Sequence, residues 1–87
     1  MSIEAMTHVW KYSRMTGTGL LMMLCIADRS DDKGVGTHYS VETIATKIRC
    51  SRRQVTRLLR QAETLGELAV DRNQGGRGEH IYRLLMP

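Results

Sequence analysis

Residues 51–65, SRRQVTRLLRQAETL, decide how the rest of the chain is read. Wound at about 100° per residue, Val55, Leu58, Leu59, Ala62 and Leu65 collect on one side of a helix. Arg53, Arg57 and Arg60 collect on the other, with Thr56, Gln61 and Thr64 around them. One side needs a core. The other carries a residue whose planar guanidinium makes two-pronged hydrogen bonds to phosphate and to guanine. Arg is also a good helix former, so an arginine face is compatible with simple solvation. The neighbouring segments decide between these readings.

Immediately upstream, Val41, Ile44, Ala45 and Ile48 stand at i, i+3, i+4 and i+7, the spacing of a one-faced helix. Ser40 is placed to cap it, and Glu42 opposes the helix dipole in its first turn. Arg49 and Cys50 interrupt the pattern, and Ser51 with Gln54 fits a capping box for the next helix. Two helices joined by a short turn, over about 40–65, make a helix-turn-helix. Downstream, Gly66 is placed to end the arginine helix in the left-handed conformation. Leu68 and Val70 alternate with Ala69 and Asp71, and Tyr82 and Leu84 with Ile81 and Arg83. Between them NQGGRG, Asn73 to Gly78, reads as the Gly-rich tip of a β-hairpin carrying Arg77 and flanked by Arg72 and Arg83.

Towards the N-terminus, Ile3, Met6, Val9 and Trp10 recur at helical spacing, predicting a short amphipathic helix over about 3–12. Its tryptophan is expected to pack on the domain in preference to a second subunit. Thr16 is a plausible N-cap for a core helix over about 17–29, because Leu20 to Ala27, LLMMLCIA, is apolar nearly all round. DRSDDKGVG then reads as a loop. It does not fit a calcium loop: Lys33 stands where the sharp turn needs Gly, and Tyr39 where the terminal Glu belongs. Thr37 to Tyr39 is expected to form a short strand. Cys25 and Cys50 fall inside apolar helical patterns and read as reduced, buried small hydrophobes.

The bulk numbers agree with one small domain spanning 1–87. The chain has 87 residues, 41% of them hydrophobic, which buries a modest core and leaves no room for a deep catalytic cleft. The formal net charge is +4, and its distribution says more than its size. Lys47, Arg49, Arg52, Arg53, Arg57 and Arg60 follow one another without an acid between them, whereas Asp28, Asp31 and Asp32 sit together. His8, His38 and His80 are scattered over three elements, and no Ser-His-Asp or Cys-His spacing is recognisable, so no enzyme, metal, cofactor or small-molecule ligand is expected. One Trp and three Tyr offer few stacking platforms for RNA. No apolar run reaches the roughly 18 residues of a membrane span. The opening MSIEAMTHVWK lacks a basic start followed by an apolar stretch, which points to a cytoplasmic protein, nucleoid-associated if it binds DNA.

The order of elements is that of a mainly α, α+β winged helix-turn-helix: three to four helices, then a C-terminal β-hairpin wing over about 67–85. Residues from about Ile3 to Leu84 resemble the winged helix-turn-helix domain of replication initiators and regulators of phages, plasmids and other bacterial mobile elements. The resemblance is carried by GTGLLMMLCIADRSDD, SVETIATKIRCSRRQVTRLLRQAETLGELAV and GGRGEHIYRL. It departs at one place: Arg49 stands in the turn between the paired helices, where that family usually has Gly. A left-handed conformation there strains a non-Gly residue.

The resemblance implies binding to double-stranded DNA, and helix geometry distributes the roles. Arg53 and Arg57, one turn apart in the N-terminal half, are the first candidates for base edges, with Arg52 and Thr56 on the adjacent face. Ser51 at the helix N-terminus suits a phosphate. Lys47, Arg49, Arg60, Arg72 and Arg77 are expected on the DNA backbone. A homodimer through the N-terminal helix would suit a palindromic site. The competing reading is a winged-helix adaptor that binds protein and not DNA; such a module carries apolar or mixed groups where this one carries arginines.

Overall fold

Ser40 and Ser51 start the two paired helices as their positions require. The Ser40 side chain accepts a hydrogen bond from the Thr43 N–H, and the Ser51 side chain accepts one from the Gln54 N–H, each at 3.0 Å. A computed structural model describes residues 3–31, 34–72 and 79–85. In chain order these form α1 (Ile3–Tyr12), α2 (Gly17–Asp28), β1 (Val35–Ser40), α3 (Val41–Ile48), α4 (Arg52–Thr64), β2 (Leu68–Asp71) and β3 (Glu79–Leu84). The expected hairpin tip, Asn73 to Gly78 with Arg77, lies outside the described residues, as does Asp32 of the acidic loop.

The end of α4 shows how local chemistry stops a helix and starts a strand. Gly66 adopts φ +77. Its N–H reaches the Glu63 carbonyl and the Glu67 N–H reaches the Ala62 carbonyl, each at 3.0 Å. This is the Schellman pattern, which satisfies carbonyls that a helix end otherwise leaves open. The chain then turns directly into β2.

The strands form one antiparallel sheet in the order β1-β3-β2. Leu68 pairs with Leu84 and Val70 with Tyr82, so one face of the hairpin turns inward as its alternation requires. Tyr39, Leu68, Tyr82 and Leu84 are buried there. The strand before α3 is longer than the expected Thr37–Tyr39. It begins at Val35 because β3 offers it a partner edge, which local sequence cannot reveal. It also makes the sheet three-stranded.

Helix α2 packs against α1, α3 and α4. Met22, Met23, Ile26 and Ala27 are buried in it, together with Ile44, Ala45 and Ile48 of α3 and Val55, Leu58, Leu59 and Ala62 of α4. Gly19 permits the close seat of α2 beside α4, since a Cβ there would stand 3.3 Å from Leu58 Cδ2 and 2.7 Å from Met15 Cε. Burial of α2 is not uniform: Leu21 is 48% exposed. Thr16 occupies the N-cap position of α2, but its side chain makes no capping bond. Its carbonyl instead accepts from the Gly19 and Leu20 N–H groups.

Two expectations are corrected by the packing. Trp10 does not pack on the domain; it is 64% exposed, and Ile3 is 77% exposed. The stripe of α1 that meets the core is Ala5 and Val9, because the small Ala5 lets this helix lie close on α2, and that choice rotates Ile3 and Trp10 outward. Cys25 and Cys50 are free thiols but only half-buried at the margin of the core. Burial pushes the Cys25 thiol up from its ordinary pKa, keeping it protonated.

The Tyr82 hydroxyl is buried without a hydrogen-bond partner among the described residues. Its ring lies edge to face with that of Tyr39, centroids 6.5 Å apart, so the aromatic packing is favourable while the Tyr82 oxygen is not satisfied. Removing an orphaned buried hydroxyl removes its desolvation penalty. Tyr82→Phe is therefore expected to raise the urea unfolding midpoint, with a gain of about 1 kcal/mol. A loss of stability in that titration would show that the oxygen has a partner.

Candidate nucleic-acid interface

The apolar stripe of α4 is buried along its length, so its opposite side has one direction left, outward. Arg52, Arg53, Thr56, Arg57 and Arg60 are all exposed. An open depression on this outer face is lined by Arg53, Thr56, Arg57 and Arg60. Three of the four residues expected to read bases thus share one concavity with Arg60, and Arg52 stands at its flank by helical position. Lys47, in the last turn of α3, and Ser51, at the start of α4, are exposed at the two sides of the connecting turn.

Hydrogen bonds pre-orient part of this face. Arg57 Nη2 donates to Gln54 Oε1 at 2.7 Å, which lays the guanidinium back along the helix axis. Gln54 is therefore not the reciprocal half of a capping box; Ser51 caps, and the Gln54 side chain steers Arg57. Spacing of i, i+3 carries this signal in the sequence, but the capping-box reading competed with it. The Thr56 hydroxyl donates to the Arg52 carbonyl at 3.0 Å and the Thr64 hydroxyl to the Arg60 carbonyl at 2.9 Å. Each hydroxyl thereby spends its proton inside the helix and presents an acceptor and a methyl to the outside.

The turn keeps its left-handed residue without glycine. Arg49 has φ 61 and ψ 50, and it is the non-Gly residue with positive φ among the described residues. The Cys50 N–H reaches back to the Ala45 carbonyl at 3.0 Å, closing α3. A left-handed arginine costs about 1–2 kcal/mol relative to the right-handed form. Its exposed side chain sits in the turn between α3 and the N-terminus of α4.

Arg72 has a partner that the sequence did not announce. Its Nη2 donates to Glu63 Oε1 at 2.6 Å and its Nη1 to Oε2 at 3.1 Å, a two-pronged pair joining the end of α4 to the base of the wing. Hydrogen bonding to Arg72 is the main reason the Glu63 carboxyl is held below its ordinary pKa. Two of the five guanidinium N–H donors are engaged in this way, which leaves donors for a phosphate. Arg83, on the outer face of β3, stands 3.8 Å from Asp71.

A second latch holds the connector between α1 and α2 to the turn after α4. The Ser13 hydroxyl and the Arg14 N–H both donate to the Glu67 carboxylate, and Arg14 Nη2 donates to the Leu65 carbonyl at 2.7 Å. These residues lie more than 50 positions apart, so spacing gives no hint of the contact. Among the described residues, no group of three or more His, Cys, Asp or Glu is placed to hold a metal ion. No helix among them is long and apolar enough to cross a membrane.

Compared with known proteins, residues 13–67 match the family model described as "Helix-turn-helix domain". The matched span covers the latch residues Ser13 and Glu67 at its two ends and α2, β1, α3 and α4 between them. No curated protein and no solved structure matches the chain.

Two variants probe this geometry. Arg49→Gly relieves the left-handed strain and is expected to stabilise the fold by about 1 kcal/mol in thermal unfolding. The Glu63–Arg72 latch has its own pH signature. A carboxyl held below its ordinary pKa contributes stability above its unfolded value and loses it as pH falls through the folded one. Wild type is thus expected to lose slightly more stability than Glu63→Gln in that acidic window, by no more than about 1 kcal/mol because the pair is partly exposed.

Proposed function

The chain belongs to the helix-turn-helix domain family, and from that premise we propose that it reads double-stranded DNA with α4 in the major groove and the β2–β3 wing alongside. Membership points to DNA as the partner and away from catalysis. The observation that carries the finer reading is the outer face of α4, where Arg53, Thr56, Arg57 and Arg60 line one depression opposite a fully committed apolar stripe. The major groove admits an α-helix, and bidentate arginine contacts to guanine are its commonest specific readout. That face is charged, which favours DNA over a protein-binding adaptor.

In this reading all 87 residues act as one winged helix-turn-helix unit. Arg53 and Arg57 contact base edges, with Arg57 aimed by Gln54, and Arg52 and Thr56 serve the adjacent bases. Ser51, Lys47, Arg49 and Arg60 contact the backbone. Arg72 and Arg77 contact it from the wing, Arg72 while tethered to Glu63. The resemblance to initiators and regulators of phages and plasmids supports a role as a regulator or as a replication or partition factor of a bacterial mobile element, acting at the nucleoid. A homodimer through α1 would suit a site made of two half-sites.

Selection of bound sequences from a random duplex pool tests this directly, since it reports binding, sequence and half-site symmetry together. On the selected site, Arg53→Ala and Arg57→Ala are expected to cost about 1–3 kcal/mol each and to relax base choice. Arg60→Ala is expected to weaken all sequences alike and to flatten the salt dependence. Equal losses on every sequence for all three variants would sink the assignment of base readers.

A further inference from the structure

The exposed face of α1 is unused by the core and by the arginine surface. Trp10 and Ile3 lie seven positions apart and share one stripe of the helix, with Thr7 between them. All three are exposed, and Trp10 is the single tryptophan of the chain. Ile3 and Trp10 are the two most exposed large hydrophobic side chains among the described residues, and this stripe brings them together. The charges on α1 indicate what covers it. Glu4 stands in its first turn and Lys11 in its last, both exposed and both on the same flank of the stripe.

We infer that α1 pairs antiparallel with α1 of a second copy of this chain, about a two-fold axis passing near Thr7. Such an axis keeps each flank facing its own symmetry mate. Residues whose numbers sum to about fourteen then oppose one another. Ile3 meets the Trp10–Lys11 end of the other copy, and Glu4 lies across from Lys11, so two ion pairs form at once. In a parallel arrangement the two-fold runs along the helices and puts the Glu4–Lys11 flanks of the two copies on opposite sides of the contact, so neither ion pair forms. Helix α1 packs on α2, and its exposed stripe shares no residue with the arginine face of α4.

The contact is small. A ten-residue helix is about 15 Å long, short of the roughly 800 Å² per partner of a stable interface. The pair is therefore weak in free solution and becomes effective when a duplex holds two copies side by side. Only this last consequence rests on the DNA-binding reading.

The test needs no DNA. Tryptophan emission and sedimentation of the full chain are followed at low salt up to about 1 mM, a range suited to weak association. The expected result is a concentration-dependent blue shift of the single tryptophan together with a rise in mass towards the dimer. Glu4→Lys alone, or Lys11→Glu alone, turns both attractive pairs repulsive and is expected to weaken association about tenfold. The double variant, or an equimolar mixture of the two single variants, restores it. No association in this range, or association indifferent to the charge exchanges, overturns the proposal. Gel retardation of a random duplex by the same proteins keeps the two readings apart. A chain that dimerises as described but fails to retard DNA sustains the α1 pairing and removes the DNA-binding reading.

Discussion

The structure depends on where the apolar stripe of α4 goes. Val55, Leu58, Leu59 and Ala62 are buried against the core that α2 and α3 build. Burying a valine or leucine side chain is favourable by roughly 1.5–3 kcal/mol, so Val55, Leu58 and Leu59 fix the rotation of the helix about its own axis, with Ala62 completing the stripe. Once that rotation is fixed, the arginines have no freedom in direction. Arg53, Arg57 and Arg60 face outward because their neighbours face in. The charged surface is thus a consequence of the core and needs no separate device to hold it.

What remains free after rotation is the tilt of α4 and the angle of the wing, and polar contacts set both. Ser51 caps the start of α4 after a left-handed Arg49, so the turn between the paired helices is short and closed by backbone hydrogen bonds. At the other end Gly66 stops the helix, Glu63 grips Arg72 at the wing base, and Glu67 grips Ser13 and Arg14. These contacts are modest in energy because they are partly exposed. Their value is directional: they decide where the β2–β3 pair stands relative to the arginine face. Strain at Arg49 fits the same picture, since a costly conformation persists where surrounding structure over-determines it.

Much of this was legible in the chain. The spacing of Val41, Ile44, Ala45 and Ile48, the two serine caps and Gly66 mark their helices because each signal is local and uses backbone groups within a few residues. The outward direction of the arginines was legible for the same reason. Periodicity misplaces Trp10 because the Ile3, Met6, Val9, Trp10 pattern and the Ala5–Val9 stripe overlap on one short helix. Periodicity cannot choose between them until α2 is present to be packed against. Gln54 was read as a cap partner because two legitimate i, i+3 bonds compete for one side chain.

The sequence alone therefore determined what is short-range: helix boundaries, caps, the left-handed stop, the alternation of the hairpin, and an amphipathic α4 with apolar and arginine sides. Tertiary structure decided what depends on distant partners. It recruited Val35–Ser40 as a third strand beside β3, tied Arg72 to Glu63 and Arg14 to Glu67, and turned Ile3 and Trp10 of α1 outward. The physical reason is reach. Backbone hydrogen bonds and side-chain periodicity act over one or two turns, whereas the partner of a sheet edge, a guanidinium or a helix face is chosen only when separate elements, as far apart in the chain as Ser13 and Glu67, are brought into contact.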